Sequence, residues 1–353
     1  MFDSARPYSF HIELTDKCNS GCPMCGRTDA MNRCRANEAK VRKIELTLAD
    51  FEAQFTPAFC RQVEEVQFGG GLGDALAASE CLEICDYLTA QSVRLVVSTN
   101  GGLRSLDWWR RFGAVMGRNG SHLELHVDGL RDTNALYRVN TDFDKIMANA
   151  AAYLATGAVA DWYYILFRHN EHQVEEARDL ARDIGFRHFV LIDTIRFGAS
   201  RRFDYVLPDG TPAALEPARL SAADYRARFR TASEAEEAAA AAPPALPAGS
   251  KAAQAAAGIN GIRCKAQMLN RPYITADGNV SACCWIDHSE EERGLQAAAG
   301  RQFADYNIRS RPLEDILRDE PFAGLFQRGW QQGEGAICRR KCGEGVRNKR
   351  LRL

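Results

Sequence analysis

Through roughly residue 203 the chain changes between two hydrophobic periods. Short alternating or continuous apolar runs occupy Ser9–Leu14, Val63–Phe68, Val93–Ser98, His122–Val127, Trp162–Phe167 and Phe186–Ile192, and this pattern predicts strands. Between them, Leu46–Phe59, Glu80–Gln91, Leu106–Met116, Phe143–Thr156 and Val174–Ile184 place their apolar residues at helical spacing. Strands alternating with helices imply βα units and a parallel sheet. With no seventh unit in the pattern, the expected fold is α/β, a partial (β/α)6 TIM-like barrel that stops short of the closed eight-fold form. Functional residues are then expected where strands end and loops begin.

The pattern breaks after Phe203. Residues 204–260 read as a linker, with an Ala/Pro-rich low-complexity stretch, Ala232–Ala257, that includes Pro243, Pro244 and Pro247. Residues 261–353 form a second, smaller region. Its tail, Arg339–Leu353, has seven basic residues and one acidic. That is either a solvated charged segment or a contact for an acidic peptide or nucleic acid.

Composition narrows the class. A chain of 353 residues holds one large domain or two average ones. Its 45 Lys+Arg against 46 Asp+Glu leave no basic nucleic-acid footprint on the whole chain. No apolar run approaches the ~20 residues that span a bilayer, and Met1–Tyr8 lacks the regions of a signal peptide. No membrane partner and a cytoplasmic location are expected. The twelve cysteines change the picture, because cysteines in such a chain bind metal or do chemistry more often than they pair. Cys34, Cys60, Cys81 and Cys85 are scattered and read as small buried apolar residues.

Cys18, Cys22 and Cys25 are spaced C-x3-C-x2-C directly after the first predicted strand. Three thiolates on one short loop can each bind one iron of a four-iron cluster, leaving the fourth iron without a protein ligand. An open metal position suits catalysis. Cys34 is the nearest residue that could close the site and turn the cluster into a plain electron carrier. Zinc is the competing metal, but its sites usually pair C-x2-C units and complete four ligands locally.

This loop resembles that of the radical S-adenosylmethionine (radical SAM) superfamily. The resemblance spans roughly residues 8–200. It implies a [4Fe–4S] cluster on Cys18, Cys22 and Cys25 whose open iron chelates S-adenosylmethionine. One electron then releases a 5′-deoxyadenosyl radical that takes a hydrogen atom from the substrate, and an electron donor such as flavodoxin or ferredoxin is implied. Gly69-Gly70-Gly71-Leu72-Gly73-Asp74 after the second strand is similar to the family's glycine-rich stretch, and implies SAM contacts at Gly70, Gly71, Gly73 and Asp74. Asp74 and Ala75 stand where Glu and Pro are frequent, so Gly71 and Gly73 match better than the Asp74 side chain. Ser98-Thr99-Asn100-Gly101 looks like the polar loop near the SAM ribose and methionine, implicating Ser98 and Asn100. Asp128 ends the fourth strand, and Arg138 could grip the SAM carboxylate through its guanidinium fork. A surface salt bridge is the plainer reading of Arg138, and a loop histidine that of His169.

Cys264 is followed by thirteen residues and then Gly278-x4-Cys283; Cys338 and Cys342 form a C-x3-C pair. Together they offer four thiolates, enough to ligate one complete cluster. Asp277-Gly278 is a hairpin signal between Arg271–Thr275 and Val280–Ala282. The arrangement resembles the SPASM domain and its shortened form, twitch. That resemblance implies one auxiliary [4Fe–4S] cluster on Cys264, Cys283, Cys338 and Cys342, with Cys284 spare or an alternative ligand. A zinc staple is the structural alternative.

The full expectation is therefore a radical SAM barrel core at 1–203, a linker at 204–260 and a twitch/SPASM-like auxiliary cluster domain at 261–353. The implied activity is oxidative maturation of a ribosomally made precursor peptide. Because the first strand starts at Ser9, a separate leader-peptide recognition protein is expected. The alternative is a radical dehydrogenase of an aminocyclitol or sugar alcohol. From another class, the basic tail is the footing for a metal-stapled RNA-binding protein without turnover.

Overall fold

The computed structural model describes residues 2–194, 196–197, 200–229, 259–287, 303–319, 322, 325–331, 335–343 and 350–352. The Ala/Pro-rich stretch, and residues 344–349 and 353 of the basic tail, lie outside the described residues. The first strand, β1 (Tyr8–Ile12), leads into the cysteine loop, from which a small ladder folds out, β2 (Thr28–Asp29) against β3 (Arg35–Ala36). The remaining barrel strands are β4 (Val63–Phe68), β5 (Arg94–Thr99), β6 (His122–His126), β7 (Val159–Leu166) and β8 (His188–Asp193). They run in parallel in the order β1-β4-β5-β6-β7-β8. This is the open six-stranded α/β arrangement expected from the alternation of periods.

Strand alternation sorts side chains between two faces. Phe10 and Ile12 on β1, Val66 and Phe68 on β4, and Leu123 and Leu125 on β6 are fully buried in the hydrophobic core. The other face carries His11 and Glu13, Glu65 and Gln67, Ser98, Glu124 and His126, and Tyr163. Each large apolar side chain so buried contributes about 1.5–3 kcal/mol. A slip of one residue would push carboxylates into the helix layer, so the register is fixed.

The expected helix Leu46–Phe59 is broken into α1 (Leu48–Gln54) and α2 (Pro57–Cys60). Pro57 forces Thr56 into extended backbone (ψ 157°), and Thr56 then caps α2 through the Phe59 amide. The others stand near expectation: α3 (Cys81–Ala90), α4 (Leu106–Met116), a short α5 (Asn134–Tyr137), α6 (Phe143–Leu154) and α7 (Val174–Ile184). β7 begins at Val159, three residues before the expected start, and β8 begins at His188. Beyond β8 a hairpin, β9 (Phe203–Val206) with β10 (Pro212–Leu215), precedes α8 (Ala222–Phe229).

The C-terminal hairpin forms around Asp277-Gly278 as β11 (Tyr273–Ile274) and β12 (Val280–Ser281). It also docks in parallel on β1, and β13 (Arg350–Arg352) pairs antiparallel with β8. Both edges of the open sheet are thereby paired, giving nine strands in all. The region after 260 shares one hydrophobic core with the barrel: Ile262, Ile274, Tyr306 and Trp330 belong to the same buried cluster as Phe10. Among the described residues no helix is long and apolar enough to cross a membrane.

Candidate active site

The chain leaves β1 through Glu13, whose side chain organises the loop opposite. One Glu13 oxygen accepts the amides of Leu72 (2.6 Å) and Gly73 (2.8 Å), and the other accepts the Tyr273 hydroxyl of β11 (2.9 Å). Burial raises the Glu13 pKa, and these donors oppose the shift. The glycines let this loop wrap the strand end. A Cβ on Gly73 would overlap the Thr15 carbonyl, and one on Gly70 would overlap the Glu13 carboxylate. Gly71 is different, because a Cβ there would meet nothing. Gly70 and Gly73 are thus required by the protein's own packing, while Gly71 faces open space beside the cysteine loop.

The cysteine loop is tied down from two sides. Asp16 accepts the amides of Arg42 (2.6 Å), Lys43 (3.1 Å) and Ile44 (2.9 Å), fixing the chain that returns to α1. The Gly21 amide (2.9 Å) and the Ser20 hydroxyl (3.1 Å) both donate to the Val139 carbonyl just after α5. Each thiol then meets a different partner from the loops that end the strands. Asn100 Nδ2 lies 3.6 Å from Cys18 Sγ, Arg138 Nη1 lies 3.8 Å from Cys22 Sγ, and Cys25 Sγ lies 3.8 Å from the Gly71 carbonyl. The Ser20 amide also donates to Cys18 Sγ (3.4 Å). Three of the four expected polar loops therefore converge on the three thiols.

The remaining expected residues stand one step back. Asp74 is buried and accepts from Leu76 N (3.0 Å), Thr99 Oγ1 (2.9 Å), Asn100 N (2.8 Å) and Asn100 Nδ2 (2.7 Å). Both oxygens hold the Thr99–Asn100 turn, so in this structure Asp74 places Asn100 against Cys18. Asp128 is fully buried and pairs with Arg138 Nε at 2.6 Å. Burial raises the Asp128 carboxyl, and the Arg138 guanidinium pulls it back down. Arg138 is thus neither at the surface nor unpaired: its Nε edge holds Asp128 and Nη1 reaches Cys22. Ser98 donates to Glu124 (2.7 Å) on the inner face of the barrel. Glu13 and Glu124 were not among the expected site residues. Their signal is a carboxylate at a strand position where alternation points away from the helix layer.

The donor set fits an iron–sulfur cluster better than a hard cation, because it is all thiol and two of its sulfurs, on Cys18 and Cys22, receive N–H donors. Burial raises the thiol of Cys18 to about 12 and also raises Cys25. Such thiols ionise only when a metal replaces the proton. Among the described residues no three His, Cys, Asp or Glu close on a single ion. In a four-iron cluster each thiolate binds a separate iron, so thiols spaced apart are what it needs. Cys34 is buried in an apolar cluster with Cys22, Met24 and Tyr137. Cys60, Cys81 and Cys85 are buried as expected.

Cys283, Cys338 and Cys342, which arise from two other segments, are charged neighbours of Cys264. The buried Cys264 thiol is raised by burial and then by its neighbours Cys283, Cys342 and Cys338. Cys338 and Cys342 lie one turn apart on the helix Ala336–Cys342, so C-x3-C puts both on one face. The Arg263 amide bonds the Cys342 carbonyl (2.8 Å), which draws Cys264 to that helix. Cys284 has Cys283 as its first charged neighbour. Burial raises it to about 12, and Asp287 and Glu13 are among its charged neighbours. His169 lies against the Phe167 ring, and burial lowers it to about 4, so it is neutral.

Comparisons with known proteins follow this geometry. Residues 12–181 match the family model described as Radical SAM superfamily. No curated protein matches the chain. Among solved structures, it is similar to Streptococcus suis SuiB bound to S-adenosylmethionine, with TM-score 0.57 and 12% identity, covering 91% of this chain and 68% of that one. SuiB bound to its precursor peptide SuiA gives 0.56 and 12%, covering 91% and 66%. The anSMEcpe structure with bound AdoMet gives 0.51 and 14%, covering 90% and 79%. At such identities the likeness is one of fold.

Proposed function

From the premise that this chain is a radical SAM enzyme, with its radical SAM domain at residues 12–181, we propose that it oxidatively modifies a ribosomally made peptide. The family implies a [4Fe–4S] cluster and S-adenosylmethionine. Cys18, Cys22 and Cys25 would hold the cluster, which with S-adenosylmethionine would supply a 5′-deoxyadenosyl radical able to remove a hydrogen atom from the substrate. The chain's own part is placement. Glu13 holds the Gly70–Gly73 loop open at Gly71, Asp74 holds Asn100, and Asp128 aims Arg138. Gly71, Asn100 and the Arg138 fork are the groups left facing the cofactor, with Ser98 deeper in the barrel.

The observation that carries the reading is the meeting of each loop thiol with one of these three residues. The gathering of Cys264, Cys283, Cys338 and Cys342 supports a fully ligated auxiliary [4Fe–4S] cluster in a twitch-like region. An oxidation suits that cluster, since the substrate loses a hydrogen atom and then an electron. The peptide as substrate is supported by the fold likeness to SuiB, which has been seen with precursor peptide SuiA. One observation favours the second reading, a hydroxylated small molecule: the inner face of the barrel carries His11, Glu124, His126 and Tyr163.

The test is anaerobic purification with iron, sulfide and zinc analysis, then addition of reductant and S-adenosylmethionine. About eight irons per chain and release of 5′-deoxyadenosine are expected. Zinc in place of iron, or iron without 5′-deoxyadenosine, would overturn the reading. Deuterium transfer from labelled peptide, against labelled cyclitol, into 5′-deoxyadenosine decides between the two substrates.

A further inference from the structure

The cysteine loop also borders a cavity whose lining does not include Gly71, Asn100 or Arg138. The loop forms one wall of this open cavity of about 460 Å³, lined by Cys18 together with Lys17, Arg27, Arg33, Arg35 and Lys43. No acidic residue lines it. Five cations in one wall stand out in a chain whose total charge is −1.

Two of these cations have local partners. Lys17 pairs with Glu45 at 2.8 Å, and Arg27 donates to the Ser20 carbonyl at 3.2 Å. Arg27 is buried, and its Nε has no hydrogen-bond partner. Arg33, Arg35 and Lys43 are exposed and make no ion pair among the described residues. Asp209, which accepts from the Thr211 amide, feels the Arg33 charge. Met31, in the turn that joins β2 to β3, is 64% exposed, an apolar point near these charges. The wall is also held in an uncommon shape: Arg33, Cys34 and Lys43 keep left-handed backbone at φ 52°, 52° and 58°. Non-glycine residues adopt that region rarely, and functional surfaces are where such conformations gather.

We propose that this basic face is where an acidic one-electron carrier protein, of flavodoxin or ferredoxin type, docks. The inference rests on the radical SAM reading. That chemistry needs one electron on the cluster before any substrate radical exists, so the first electron comes from a separate donor. One electron passes from the reduced carrier, which is oxidised by one, to the cluster, which is reduced by one. Gly71, Asn100 and Arg138, the groups assigned above to the cofactor, do not line this cavity, which leaves its open side to a carrier. Positive charge steers an acidic partner to it and fixes its orientation. A single-stranded nucleic acid would need aromatic platforms, and no aromatic residue lines the cavity.

The test uses the full chain, anaerobically loaded with its clusters. Reduction is driven either by dithionite or by a flavodoxin kept reduced by its NADPH-dependent reductase. Cluster reduction is followed by electron paramagnetic resonance and turnover by 5′-deoxyadenosine. With flavodoxin, the wild-type rate falls as salt rises. Arg33→Glu with Arg35→Glu lowers it by about tenfold or more and removes most of the salt dependence. With dithionite the same variant stays within about twofold of wild type. Arg35→Gln, which leaves the backbone strain untouched, gives a smaller loss in the same direction, and unchanged iron content certifies the fold. An unchanged flavodoxin rate in the charge-reversed variant overturns the docking site alone. So does a face that binds inorganic phosphate, an acidic peptide or an RNA oligonucleotide while flavodoxin titrates elsewhere. If wild type yields no 5′-deoxyadenosine with dithionite, the radical SAM reading itself fails, and the docking proposal falls with it.

Discussion

The two cysteine groups are built in opposite ways. Cys18, Cys22 and Cys25 come from one loop of eight residues, and their outer neighbours are hydrogen-bonding groups from three other loops. Cys264, Cys283, Cys338 and Cys342 come from three separated segments, and Cys264 and Cys338 lie in the main hydrophobic core. A set of thiols on one loop can form without the rest of the fold, and it leaves one side open. A set drawn from distant segments depends on the C-terminal region docking on β1. The first arrangement suits a cluster that must accept another ligand. The second suits one that only carries charge and holds the chain together.

The largest expected effect breaks the first group. Cys18→Ala with Cys22→Ala and Cys25→Ala takes 5′-deoxyadenosine formation to background and removes about half the iron. Loss of all iron instead would mean that the two sites do not load independently. Next, Cys264→Ala with Cys338→Ala also removes about half the iron but leaves SAM cleavage with dithionite in place, while modified product disappears. If cleavage vanishes too, the contrast between an open and a closed site is wrong.

Arg138→Gln sharpens the comparison without touching a thiol. It leaves the fully buried Asp128 without its cation, which costs about 3–5 kcal/mol. Cys22 loses its guanidinium neighbour at the same time. Thermal midpoints of Arg138→Gln, Asp128→Asn and the double variant separate the two losses. The double variant is expected to recover most of the stability and none of the SAM cleavage.

What could be read from the sequence divides along the same line. The three loop thiols, the six strands and helices α4 and α7 follow from local periodicity, because their partners lie nearby in the chain or one turn away. Pro57 was present in the sequence as a helix breaker, yet the apolar spacing on either side of it masked the break between α1 and α2. The pairing of β11 with β1 left no local signal, because a two-residue strand carries no period. Asp74 illustrates the limit for site residues. Its place after the glycines is legible, but whether its carboxylate faces a ligand or the Thr99–Asn100 turn depends on donors 25 and 26 residues away. Glu13 was legible in principle as a carboxylate on the inner face, but only the fold reveals that Leu72, Gly73 and Tyr273 all converge on it.

The smallest effect concerns how the C-terminal region is held against the barrel. Asp50, in the first turn of α1, accepts Arg309 Nε at 3.0 Å and Nη2 at 2.8 Å, a two-pronged pair joining the two regions. It also closes the capping box with Thr47. Burial raises the Asp50 carboxyl, but the hydrogen bonds from Arg309 and Thr47 outweigh burial and hold it below its usual value. A carboxyl lowered by folding adds stability that is complete above its unfolded pKa and lost as pH falls through the folded one. The coupling of Asp50→Asn with Arg309→Gln in a double-mutant cycle should therefore be about 0.5–1 kcal/mol at neutral pH, since the pair is part-exposed. It should stay constant down to about pH 4.5 and shrink below that. A wild-type stability that instead falls as pH rises from about 4 to 7 would assign the docking to another group. Asp287 is the first to examine, since burial raises it to about 7. Its raised pKa gives the opposite sign, with stability present at low pH and lost as pH rises through that value. The direction of the slope alone therefore says which carboxylate holds the region that assembles the second set of thiols.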